Sequence, residues 1–242
     1  MEDPRLIKAK ARIEAARTAI ADVFKEILDG AEGNGCQPEL LKYIGTLYGI
    51  VHQTATAYSQ LWDAAAQANL MYCACNTRNL LELGIWSEYC SIAQENALRF
   101  ADDAIRDYAG ILGAISGLAS AWDDQRSLDD VSELLKWHAA RSPSHGIAAD
   151  DRKYLRVSDA ARELGPAVEE SFKAINTVVS KLVHPTAFVV NNAAYPAWKQ
   201  TFVDETVKQL FSIGVSIADA IFNRLLGKAT AMRSLVVNQA PL

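Results

Sequence analysis

Leu6, Ile13, Ile20 and Ile27 recur every seven residues, and Ala9, Ala16 and Val23 follow the first three at a spacing of three. This is an a/d seam over three heptads, with the charges at other positions. Such a seam needs a long helix packed lengthwise on a partner, because only that geometry keeps every apolar position on one buried line. Pro4 suits a first turn and Gly30 a stop, so the spacing predicts a helix over about 4–29.

The helical pattern continues along the chain. After the loop 31–37, Pro38 opens a second helical stretch. From Tyr43 to Thr77 the only charged residue is Asp63, and a helix apolar on most sides is a buried one. Helices are expected over 38–67 and 69–90, with a break near Gln67 and close helix approach at the small residues 64–68. Ser91 followed by Gln94 and Glu95 reads as a capping box opening a helix to about 122. Within that helix Gly110, Gly113 and Gly117 share a face that would let another backbone approach. Ser127 is expected to cap a short helix over 128–140. Residues 141–157 read as a loop or lid. A helix from Ser158 breaks at Gly165-Pro166 and ends at His184-Pro185, and 185–196 is irregular. A last helix is expected over 197–226, stopped by Gly227, with a loosely held tail over 228–242. Strand-like alternation is absent, and thirteen glycines and seven prolines are few for an all-β chain. The expected fold is all-α: one domain over 1–242, a single bundle of long antiparallel helices with a C-terminal helix.

Several function classes are disfavoured. The net charge is −5, whereas a protein that neutralises many phosphates shows a basic face. Arg5, Lys8 and Arg12 form one stripe, which reads as a solvated helix face. Of the cysteines Cys36, Cys73, Cys75 and Cys90, Cys73 and Cys75 point to different sides of a helix, and no Cys-x-x-Cys occurs. Core thiols in a reducing cytoplasm are the expectation. The chain opens Met-Glu-Asp-Pro-Arg, without the apolar core of a signal peptide. The uncharged stretch Tyr43–Trp62 is long enough to span a bilayer, but Thr46, His52, Gln53, Thr54, Thr56, Ser59 and Gln60 make it too polar for lipid. The expectation is a cytoplasmic protein with no membrane partner. No histidine has a glutamate three residues before it, as a di-iron bundle site needs, and His-Glu-x-x-His, phosphate-loop and nucleophile-elbow motifs are absent. Neither a metal nor a cofactor is expected.

Two segments remain. In Asn76-Thr77-Arg78-Asn79-Leu80-Leu81-Glu82-Leu83, Arg78 and Glu82 are four apart on one helix face, in apolar surroundings that favour a partly buried pair. The planar fork of Arg78 can hold a second partner there. In Val178-Val179-Ser180-Lys181-Leu182-Val183-His184-Pro185, the histidine closes a helix, where the dipole favours a cation, and the proline forces the chain out.

Together these segments resemble the HEPN superfamily (higher eukaryote and prokaryote nucleotide-binding domain), especially its uncharacterised bacterial helical relatives. The likeness covers about 60–185. It implies a helical bundle, often dimeric, acting either as an RNA-cleaving toxin or defence protein or as an inactive interaction module. RNA-cleaving members carry an arginine ahead of the histidine, with four to six residues between them. Here those positions hold Thr177, Val178 and Val179, and none can set a cation against a phosphate. The resulting expectation is a non-catalytic interaction module acting through self-association or a protein partner. A homodimer is expected, with the first helix or the Gly110–Gly117 helix at its interface. The alternative is a metal-independent ribonuclease or nucleotide-binding protein, with RNA or nucleotide as ligand and with Arg78, Glu82 and His184 converging on one pocket.

Overall fold

The computed structural model describes residues 4–33, 38–141, 155–184 and 196–237. In chain order its helices are α1 (Pro4–Gly33), α2 (Pro38–Ala66), α3 (Leu70–Ile92), α4 (Gln94–Ala121), α5 (Gln125–Arg141), α6 (Val157–Leu164), α7 (Pro166–Val183) and α8 (Pro196–Val237). No strand occurs among the described residues, and the fold is all-α. Most of the expected lid, 142–154, and most of the irregular stretch, 185–195, lie outside the described residues. The chain groups into two compact units, 1–97 with 156–242, and 98–155.

In the larger unit α3 packs against α2, α6, α7 and α8, while α8 also packs against α1 and α2. Side-chain pairs give the helix directions. The Phe24 and Tyr48 rings meet edge to face at 6.0 Å, and Lys10 lies over the Trp62 ring, so α1 and α2 run in opposite senses. Trp62 meets Phe211 at 4.7 Å and Tyr43 meets Lys228, so α2 and α8 also oppose. Thr77 meets Leu210 and Glu88 meets Arg224, so α3 and α8 run the same way. Of the seam positions whose side chains are described, Ile13, Ile20 and Ile27 are buried and Val23 half-buried; Phe24 beside them is buried too, with α2 and α8 as the helices packed on α1.

The closest approach is made by Gly214 of α8. A Cβ there would overlap Leu61 of α2 and come within 3.3 Å of Leu80 and 3.4 Å of Thr77 Oγ1 on α3. A glycine costs a helix about 1 kcal/mol against alanine. Three-helix contact at this point requires that loss, because any larger side chain pushes the helices apart. Gly84 does the same for Ile217 at 3.2 Å.

Several helix ends differ from expectation, each for a local reason. The α2–α3 turn is a Schellman closure: Asn69 N–H donates to Ala64 C=O at 2.9 Å and Ala68 N–H to Ala65 C=O at 3.1 Å. Ala68 takes the left-handed conformation, φ 48°, that glycine usually fills. Asn69 then caps α3 by accepting from Tyr72 N–H at 3.2 Å. Ser91 does not open α4; it lies in the last turn of α3 and its hydroxyl donates back to Ser87 C=O. The same Schellman pattern closes α4 around Asp123, φ 52°. Asp124, rather than Ser127, caps α5, since its carboxylate accepts both the N–H and the hydroxyl of Ser127. Those bonds hold the Asp124 carboxyl below its usual pKa.

Gly30 stops nothing, because α1 continues to Gly33, and α8 runs through Gly227 to Val237. Ala229 and Met232 are buried on that extension, and Arg233 pairs with Glu26 of α1 at 2.6 Å. Burial outweighs the glycine penalty, so the expected loose tail is helical over 228–237; 238–242 lie outside the described residues. One described segment, Gln200–Arg233, is long and apolar enough by length and composition to cross a membrane. Its face from Val207 to Met232 is buried in the unit.

The smaller unit is built by α4 from Leu98 onward and by α5. Leu112, Ala119 and Val131 are buried in it. Asp103, also buried, accepts the Leu155 N–H at 2.9 Å and pairs with Arg106 at 3.3 Å.

Candidate functional site

The Arg78–Glu82 pair forms as the spacing requires, because both residues lie four apart in the regular helix α3. Arg78 Nε donates to Glu82 Oε1 at 3.0 Å, and the side chains are 33% and 32% exposed. At that exposure solvent screens the pair and it adds little stability. Glu82 also lines a groove of about 360 Å³ between α2 and α3, with Gln53, Thr56, Gln60, Asn79 and Trp86. The groove is polar and mostly uncharged, suited to ligands that offer hydrogen bonds.

His184 stands at the C-cap of α7, where its N–H donates to Ser180 C=O at 3.2 Å; it is exposed. Among the described residues no hydrogen bond or ion pair joins His184 to Arg78 or Glu82. Of the three positions before His184 singled out in the sequence, Thr177 turns its hydroxyl back to Lys173 C=O and Val179 is fully buried. Val178 faces an apolar recess with Ile175, Leu210 and Ile213. Thr206 and Gln209 are the polar residues of its lining. No group of three or more His, Cys, Asp or Glu among the described residues is placed to share a metal.

Two features went unread in the sequence. Arg224 of α8 donates to Ser87 Oγ at 2.8 Å and to Glu88 at 2.9 Å on α3. Ser87 is fully buried and its own hydroxyl serves Gly84 C=O. This network clasps the two central helices across 136 residues of sequence, and no local spacing signals it.

The second feature is a stripe on α4. Ile111, Ile115 and Leu118, with Trp122 in the turn directly after α4, are 58%, 42%, 52% and 74% exposed. At 100° per residue they fall within about 60° of arc. Gly110, Gly113 and Gly117 lie about 130° round the same helix, and a Cβ on any of them would meet nothing within 4 Å. Among the described residues the glycine face, singled out in the sequence for close approach, is open, and so is the apolar stripe. The 4-3-4 spacing of the stripe was legible; its exposure was not.

Compared with known families, curated proteins and solved structures, the chain gives no significant match.

Proposed function

We propose that this protein is a non-catalytic, HEPN-like helical module that works through self-association or a protein partner, in the cytoplasm and without a metal, cofactor or membrane. The observation that carries the reading is the α4 stripe: four large apolar side chains on one face, open to solvent. Contiguous exposed apolar surface of that kind marks interaction sites. Free Cys73, Cys75 and Cys90 support a reducing compartment. We take the larger unit to be a single bundle of long helices, supported by the opposed pairs α1/α2 and α2/α8.

A second reading, a metal-independent ribonuclease or nucleotide-binding protein using Arg78, Glu82 and His184, is favoured by the polar groove beside Glu82. An RNA-cleavage assay with chelator present separates the two. Wild type and His184→Ala are both expected to leave the RNA intact. Cleavage by wild type that His184→Ala abolishes would replace the interaction reading with the ribonuclease one.

A further inference from the structure

We propose that the groove between α2 and α3 binds a neutral oligosaccharide. The site is the groove beside Glu82, and it owes nothing to the α4 stripe. Its construction, its free hydrogen-bonding groups and its charge carry the proposal.

The groove is lined by positions 53, 56, 57 and 60 of α2 and by positions 79, 82, 83 and 86 of α3. Each set is an i, i+3, i+4, i+7 ladder, one face of one helix. α2 runs against α8 and α3 runs with it, so α2 and α3 oppose. Opposed ladders set Gln60 level with Asn79 at one end and Gln53 level with Trp86 at the other.

Among the described residues the side-chain amides of Gln53, Gln60 and Asn79 make no hydrogen bond with the protein. Each amide is donor and acceptor at once. A sugar hydroxyl is too, so neighbouring hydroxyls on one ring can answer both halves of an amide. Trp86 is half-buried at the edge of the groove. An indole offers an apolar face to the C–H side of a sugar ring and an N–H to one of its oxygens.

Glu82 is the one charged residue of the lining, and Arg78 already pairs with it at 3.0 Å. No cation lines the groove. A phosphate would meet a carboxylate there without a counter-charge in the lining, whereas a neutral ligand meets no such repulsion.

The groove has a volume of about 360 Å³. That is at the small end of the ~300–1,000 Å³ of small-molecule sites and fits about one or two sugar rings. Thr56 and Gln60 also line a second groove, of about 330 Å³, on α2 with Arg17, His52 and Ser59. Arg17 is itself paired with Glu14 at 3.3 Å. Polar surface thus continues over α2, and a chain of sugars can follow it where a single sugar would not.

The test is calorimetric titration of the full chain with cellotetraose, maltotetraose and chitotetraose. At least one is expected to bind with a millimolar or tighter Kd. Gln60→Ala and Asn79→Ala are each expected to weaken that binding about five-fold, as for loss of one hydrogen bond. Both side chains are exposed, so circular dichroism should show unchanged helix content. Adenosine monophosphate and inorganic phosphate, titrated in the same way, are expected not to bind.

Failure of all three tetrasaccharides to bind at millimolar concentration overturns the proposal. Binding that survives both substitutions places the sugar elsewhere and overturns it too. Adenosine monophosphate that binds wild type and is lost in Gln60→Ala makes the groove a nucleotide site, which overturns the proposal and favours the second reading above.

Discussion

Cys73 and Cys90 have no exposed surface, and burial pushes their thiols up from 9.0 to about 11 and about 12. Tyr43 is raised to about 12, chiefly by burial. In each case the neutral form is the one the fold accepts. Between the unfolded and folded values the native state binds more protons than the unfolded state, so stability falls as pH rises. The contribution is whole below about pH 9 and is lost towards 11–12. The expected outcome is an unfolding midpoint that drops above pH 9, less steeply in Cys90→Ala. An equal drop in that variant would show that Cys90 is not the group responsible. The same burial makes these thiols slow to alkylate in the native state, and Cys75, partly exposed, is expected to react ahead of them.

Helix-scale behaviour is decided where side chains are missing. At Gly214 three helices come within contact, and its absent Cβ is what lets Leu61, Leu80 and Thr77 close on α8. Gly214→Val gains helix propensity but must displace buried Leu61, so a net loss of about 2 kcal/mol is expected in chemical denaturation. A neutral or stabilising result would mean that α2 and α8 have slack at that point. Among the described residues the glycines of α4 have no such role: a Cβ on Gly110, Gly113 or Gly117 would meet nothing within 4 Å. Leu112, Ala119 and Asp103 of that helix are buried, while its apolar stripe is exposed.

At the scale of the molecule, two apolar surfaces had equal claims on an outside partner. Ile13, Ile20 and Ile27 of the α1 seam are buried, with α2 and α8 packed on α1, while the α4 stripe is exposed. Within the smaller unit Leu112 and Ala119 are buried while the stripe is exposed. If a second copy covers the stripe, dimerisation adds to folding stability by mass action. The melting temperature of wild type should then rise with protein concentration, and that of Leu118→Glu should not. A concentration-independent wild-type value would count against dimer-linked stability.

What the sequence by itself determined is local. The heptad repeat of α1, the break at Gly165-Pro166, the cap at His184 and the Arg78–Glu82 pair all follow from spacings of seven residues or fewer. They are legible because helix geometry maps such spacings directly onto faces and ends. Tertiary structure alone decided the rest. Gly227 reads as a stop, yet burial of Ala229 and Met232 carries α8 past it. Ser91 reads as a cap, yet it bonds backwards into α3. Arg224 finds Ser87 and Glu88 across the bundle, and Thr77 finds the Leu210 carbonyl. Periodicity reports that a face is apolar; which helix covers it, or whether any does, depends on packing between residues more than a hundred positions apart.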